Sequence, residues 1–350
     1  MNRQKRIRDY GVTIGTLKTG DQNAITDVPG VTVGHATIND GDTQTGVTAV
    51  IPHKGNLFRE KVVAASHVFN GYGKTVGTIQ INELGTIETP ILLTNTLSVG
   101  AVSHALTRYM LDQNPEIGRE AGTVNPIVCE CNDMYINDIR ADAVKQEHVL
   151  DALQSASETF YEGAVGAGRG MVCFGLKGGI GSASRKMSFS FGNYTLGILV
   201  LANFGRLSDF TLAGRHIGPE IMERKESLLS NHMKPEKGSI IIIVATDLPV
   251  THRQLVRIIK RTGIGLARTG SVMGNGSGDV VIGFTTHRPS VSGDKQTIAS
   301  LTDDAIDQAF YAAVEGTEEA ILNALATAET TIGRDSHIVY GLSEFIKDIL

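Results

Sequence analysis

Ser239 stands at a boundary that chemistry could use. Before it runs a charged, proline-containing stretch, KPEKG (234–238); after it come Ile240, Ile241, Ile242, Ile243 and Val244 without interruption. Two readings are open. In one, Ser239 opens a strand buried on both faces. In the other, the chain is cut between Gly238 and Ser239, and the serine becomes a nucleophile with its own base. A serine hydroxyl is a weak nucleophile without a base beside it, and no G-x-S-x-G elbow frames any serine here. A freed α-amine supplies the base: its pKa is ~7.7–8.0, against ~10.4 for lysine. It is partly neutral near pH 7 and held next to its own hydroxyl. Gly238 suits such a cut, because a residue without Cβ tolerates strained dihedrals and leaves its carbonyl open to attack. Ser239 Oγ would attack that carbonyl in an N-to-O acyl shift, and water would open the ester. The polar loop before the cut would then swing away.

A second cluster lies in GNGSGDVVIGF (274–284). If this stretch is extended, Ser277 and Asp279 project to one side, where a hydroxyl backed by a carboxylate can relay protons. A turn capped by Asp279 is the alternative. Other tempting patches fail on spacing. Gly73-Lys74-Thr75 resembles the tail of a phosphate loop, but the required earlier glycine position is Val68. The glycines of 163–170 and 175–185 follow no clear strand and read as turns and bends, not as a dinucleotide fingerprint. Cys129, Cys131 and Cys173 form neither a disulfide framework nor a C-x-x-C pair. They read as small buried residues, with Cys129 and Cys131 on one strand face. The ten histidines are scattered without H-E-x-x-H, so no metal site is expected.

The elements that must position these residues follow from the apolar pattern. Strands are expected at 47–51, 126–131, 188–191, 196–202, 239–246 and 280–285. Helices are expected at 98–111, 145–161, 251–268, 302–328 and 342–350, with Ser98 and Thr251 as N-caps. In 251–268 the basic residues Arg253, Arg257, Lys260, Arg261 and Arg268 read as a solvated face. Segments 224–237 and 287–295 read as mobile connectors. Of the 350 residues, 41% are hydrophobic and 40 are glycine. That allows a sizeable core with many tight turns, and one layered α/β domain spanning 1–350 is the economical reading. A net charge of −5 with interspersed signs gives no nucleic-acid footprint. No signal peptide and no apolar run of membrane-spanning length is visible. A soluble, cytoplasmic protein is expected.

Taken in order, seven motifs are familiar: ITDVPGVTVGHAT (25–37), ELGTIETPILLTNTLSVGAV (83–102), CECNDMYINDI (129–139), GAGRGMVCFGLKGGIGSASR (166–185), LGILVLANFG (196–205), GSIIIIVATDLP (238–249) and NGSGDVVIGF (275–284). With them the chain resembles the L-aminopeptidase/D-esterase-amidase family, which includes the β-peptidyl aminopeptidases. The resemblance implies a precursor that cuts itself between Gly238 and Ser239 into an α-chain (1–238) and a β-chain (239–350). It implies a four-layer α/β/β/α sandwich like that of N-terminal-nucleophile hydrolases, with different strand connections. Ser239 would be the nucleophile, supported by Ser277 and Asp279. Asn203 would stabilise the oxyanion with Tyr135 as partner, and Glu130 would meet a substrate ammonium. The implied reaction removes N-terminal residues from short peptides, amides or esters through an acyl-serine, with no metal and no cofactor. Assembly into a tetramer of processed units is implied as well. Two departures stand out: Met134 replaces an expected smaller residue beside Tyr135, and the tail 286–350 carries no motif of the family.

Two other functions stay open. Acyltransferases of similar architecture also self-cleave, but before threonine. A peptide-binding relative without catalysis would keep the fold and lack turnover.

Overall fold

The isoleucine run is a central strand covered on both faces. The computed structural model describes residues 4–226, 238–347 and 349. Its larger sheet has six strands, in spatial order Thr86–Ile87 (β4), Val62–Gly71 (β3), Gly278–Thr285 (β14), Ser239–Thr246 (β13), Gly192–Asn203 (β10) and Gly179–Phe189 (β9). The smaller sheet runs Thr32–Asp40 (β1), Thr43–Ile51 (β2), Ile91–Asn95 (β5) and Ile127–Cys131 (β6). One apolar core joins the sheets face to face: Ile241, Ile243, Leu199 and Ile282 from the larger meet Val33, Leu93, Ile127 and Cys129 from the smaller. Ile240, Ile242 and Val244 point the other way, into a core with helices His252–Ile259 (α5), Thr262–Arg268 (α6) and Asp307–Thr327 (α7). Helices Val99–Gln113 (α2) and Gln146–Gln154 (α3) cover the outer face of the smaller sheet. Helices Thr78–Leu84 (α1) and Gly218–Glu226 (α4) complete the set that matters here. The layers are therefore α/β/β/α. β13 reads as uninterrupted aliphatic because each alternate residue has its own core. Each such side chain contributes roughly 1.5–3 kcal/mol when fully buried.

Several elements differ from their expected bounds, each for a tertiary reason. The glycine-rich stretch expected as turns forms most of β9. Gly181 is required there, since a Cβ would sit 2.0 Å from the Ala320 carbonyl of α7. The same strand ends its motif with Arg185, fully buried and paired with Glu315 and Glu319 of α7. The expected strand 188–191 straddles the turn between β9 and β10, where Phe189 pairs with Gly192. The helix expected over 145–161 stops at Gln154, because Ser157 pairs with Val33 at the edge of β1. The helix expected over 251–268 is two, α5 and α6, separated where Thr262 Oγ1 donates to the Ile259 carbonyl at 2.6 Å. Thr251 caps α5 as expected, accepting from the Gln254 amide. Ser98 makes no side-chain cap bond; Asn95 accepts from the Leu97 and Ser98 amides instead.

Four short two-stranded ribbons are added to the two sheets: Val172–Cys173 (β7) with Leu176–Lys177 (β8), Thr211–Leu212 (β11) with Arg215–His216 (β12), Ser290–Ser292 (β15) with Lys295–Thr297 (β16), and Thr331–Ile332 (β17) with Ile338–Val339 (β18), among the described residues. The expected connector 287–295 thus contains most of a hairpin. Most of the other, 227–237, lies outside the described residues. The expected helix 342–350 is one turn, Ser343–Ile346.

Candidate active site

Ser239 is the first residue of β13, and its two strand neighbours define its surroundings. It pairs with Asn203, the last residue of β10, and with Gly278, the first of β14. The Gly278 amide donates to Ser239 Oγ at 3.1 Å. On either side of Gly278, Ser277 Oγ donates to Asp279 Oδ1 at 2.6 Å. The two side chains therefore meet, as the alternation argument expects. A register shift between Asp279 and Val280 in the β14–β3 ladder is the kind of bulge that re-aims a side chain beside a site. Gly238 differs from its expectation. Its φ is not in the left-handed region; what demands glycine is space, since a Cβ would lie 2.0 Å from the Asn203 carbonyl.

Asn203 is held at both ends of its amide. Oδ1 accepts from the Val172 amide at 2.8 Å, and Nδ2 donates to the Asn132 carbonyl at 3.0 Å. These partners fix which end carries nitrogen. Val172 is itself anchored by a residue the sequence reading passed over. Lys177 is completely buried, and its Nζ donates to the carbonyls of Gly168 (3.0 Å), Met171 (2.7 Å) and Gly178 (2.9 Å). Burial holds its pKa well below the ordinary lysine value. Asp133, also buried, accepts from Asn137 Nδ2 at 2.9 Å. Burial pushes its carboxyl up to about 7, against opposing hydrogen bonds from Thr45 and Asn137 and the Lys177 charge.

Glu130 is buried at the end of β6. Oε1 accepts from the Lys74 amide at 3.0 Å, and Oε2 accepts from Thr96 Oγ1. Gly73 brings this carboxylate to the serine's neighbourhood: a Cβ there would contact both Glu130 Oε1, at 3.6 Å, and Gly278 Cα, at 3.7 Å. The failed phosphate-loop motif is thus the turn that joins Glu130 to Gly278. Tyr135 stands apart. Its ring is half exposed, and its hydroxyl makes no hydrogen bond among the described residues; Asn203 Nδ2 is bonded instead to the carbonyl of Asn132, three positions earlier in the chain. Met134 is half exposed beside it. Burial disfavours the reactive thiolate at Cys129 and Cys131, pushing Cys129 up to about 12 and Cys131 well above the ordinary thiol value.

A buried hydroxyl held by a backbone amide, opposite an asparagine and on stacked sheets, is an arrangement that acyl transfer to serine can use. The chain matches peptidase family S58 over residues 23–339 and belongs to that family. The match runs well past Phe284, so it takes in much of the tail in which no motif was found. The β-peptidyl aminopeptidase BapA of Sphingosinicella microcystinivorans is 37% identical over 359 aligned positions, covering 96% of this chain and 89% of the relative. The PH0078 protein from Pyrococcus horikoshii OT3 superposes with a TM-score of 0.91 at 48% identity, over 98% of both chains. The L-aminopeptidase D-Ala-esterase/amidase of Ochrobactrum anthropi, described as a prototype of the serine aminopeptidases and a variant of the Ntn-hydrolase fold, superposes with a TM-score of 0.90 at 34% identity. It is covered to 97% and covers 98% of this chain. The protein is an enzyme, a serine-type aminopeptidase and amidase.

Proposed function

We propose that the chain cuts itself between Gly238 and Ser239 and then releases N-terminal residues from short peptides, amides or esters through an acyl-Ser239 intermediate. The observation that carries this reading is the triple contact of Ser239: Asn203 on one side, Gly278 on the other, and the Gly278 amide on Oγ. In processing, Oγ adds to the Gly238 carbonyl carbon, the peptide nitrogen leaves as the free α-amine, and water hydrolyses the resulting ester. In turnover, that α-amine accepts the Oγ proton as Oγ attacks the substrate carbonyl. The proton passes to the leaving amine, and the same base activates water to open the acyl-serine. An amide nitrogen carries two hydrogens. One of Asn203 Nδ2 goes to Asn132; the other serves the oxyanion, with the Tyr135 hydroxyl as the second donor. Ser277, polarised by Asp279, steers the proton on the α-amine. Glu130 receives the substrate ammonium, and the distance from that anchor to Ser239 sets how many backbone atoms the first residue has. The relatives' names make β-residues and D-alanine derivatives the substrates to compare with L-α-residues.

Every step uses side chains, backbone and water, so metal and cofactor have no role in it. The buried thiols of Cys129 and Cys131 suit a reducing, cytoplasmic setting. Exposed Ile79 and Leu84 on α1 suit assembly of processed units into an oligomer, a tetramer in this reading.

The test is Ser239→Ala. Intact mass and N-terminal sequencing should find two fragments in the parent, one beginning Ser-Ile-Ile-Ile-Ile, and a single inactive chain in the variant. A cut or active variant would remove Ser239 from the mechanism.

A further inference from the structure

The segment after α7 reaches back to Tyr135. The imidazole of His337 stacks on the Tyr135 ring, with centroids 4.7 Å apart and an interplanar angle of 11°. His337 Nδ1 is 2.8 Å from the Tyr135 carbonyl oxygen. A carbonyl oxygen only accepts, so Nδ1 carries the proton and donates. Next to it, the Arg334 amide donates to the Ile136 carbonyl at 2.8 Å. The ribbon β17–β18 therefore grips two successive carbonyls, of Tyr135 and Ile136, and lays a flat ring against the tyrosine.

The backbone that delivers His337 is unusual. Asp335 and Ser336, the two residues before it, both lie in the left-handed region, at φ 55° and 57°. Side-chain-bearing residues seldom adopt that conformation, and two in succession persist only where surrounding contacts over-determine them. Here the contacts are the Gly333 amide on the His337 carbonyl and the His337 amide on the Arg334 carbonyl, each at 3.0 Å. Tyr135 meanwhile has a half-exposed ring and a hydroxyl without a hydrogen bond among the described residues, so its own polar end does not orient it.

We propose that His337 is a positioning residue for the reaction: by stacking on Tyr135 and bonding its carbonyl, it holds the Tyr135 hydroxyl at the mouth of the Ser239 site. The inference rests on the reading that Tyr135 serves the oxyanion. It gives the otherwise motif-free tail a part in catalysis.

The experiment is a double-mutant cycle on the processed enzyme, read with an L-aminoacyl p-nitroanilide. Tyr135→Phe should lower kcat. His337→Ala should lower kcat about tenfold, as small misplacements of a reacting group do, with KM changed less than about twofold. His337→Phe keeps the stacked ring and should recover most of the loss, and His337→Asn keeps only the donor and should not. The double variant Tyr135→Phe/His337→Ala should be no slower than Tyr135→Phe, since His337 acts through the hydroxyl that is already gone. Thermal midpoints and fragment patterns check that all variants fold and process. If Tyr135→Phe is impaired while His337→Ala is fully active, the inference falls and Tyr135 keeps its role. If the two losses multiply, His337 acts elsewhere and the inference falls. If Tyr135→Phe is fully active, the oxyanion reading of Tyr135 fails first and takes the inference with it.

Discussion

Asn203 and Ser239 are direct partners across the β10–β13 ladder, the pair with which that ladder ends, and each is only 5% exposed. The Asn203 amide cannot turn over without setting its nitrogen against the Val172 amide and its oxygen against the Asn132 carbonyl. A donor is thus pre-oriented beside the proposed nucleophile before any substrate arrives, which is the condition under which such groups contribute most.

Replacing Asn203 by Ala should therefore lower kcat by about 10²–10³, some 2.7–4 kcal/mol of barrier, with KM little altered. Asn203→Asp should do no better, because its second oxygen would face the Asn132 carbonyl in place of a donor. Steady-state kinetics on correctly processed enzyme measure this. A rise in KM at constant kcat would mean that Asn203 binds substrate and does not serve the transition state.

Gly238→Ala addresses processing. The added Cβ would lie 2.0 Å from the Asn203 carbonyl oxygen and 2.6 Å from Phe204 Cα. Both are backbone atoms, at the end of the central strand β10 and just past it, so Gly238 must move and the proposed scissile carbonyl moves with it. The expected outcome is a chain that folds but cuts at least about tenfold more slowly, since displacement of a reacting group by even ~1 Å is costly. A time course of fragment appearance on a denaturing gel decides it; cutting at the parent rate would show that the site tolerates a shift of the scissile bond.

How far the sequence carries this site depends on whether a feature is local. Ser239–Thr246 is observed with its expected bounds, because five consecutive aliphatic residues after a polar loop leave little choice. The meeting of Ser277 with Asp279 follows from alternation alone. Features made by distant segments were not legible. Nothing local marks Lys177 as buried, and only the fold closes the carbonyls of Gly168, Met171 and Gly178 around it. The glycines of β9 looked like turns because glycine marks both a bend and a close helix contact. Gly73 and Glu130 are 57 positions apart in the chain, and nothing in either segment announces that they touch. Met134 stands out locally as a departure beside Tyr135, but the partner of Tyr135, His337, sits in the tail where no motif could be found.

Glu130→Gln tests the ammonium anchor. The substitution removes the charge while nearly preserving size, leaving one oxygen for either the Lys74 amide or Thr96 Oγ1. Loss of one partner from a buried charge pair costs about 2–5 kcal/mol. The ratio of kcat/KM for an aminoacyl anilide over its desamino analogue should accordingly fall roughly 30-fold or more. An unchanged ratio would assign the ammonium to another acceptor.

Asp133 gives the enzyme a pH signature in its stability. Burial holds its carboxyl up to about 7, against an ordinary 3.8. Between those values the unfolded chain has released the proton that the folded protein retains. More protons on the folded state mean that stability falls as pH rises, at up to ~1.36 kcal/mol per pH unit, and levels off once the folded group also ionises. Asp133→Asn has no proton to retain and its Oδ1 can still accept from Asn137. The stability of the variant relative to the parent should therefore improve as pH increases from about 4.5 to 7 and stay level above it. Chemical denaturation across that range measures the difference, with both proteins carrying Ser239→Ala so that a single uncut chain unfolds. Parallel curves would mean that Asp133 is ionised in the fold throughout, with the Lys177 charge outweighing its burial.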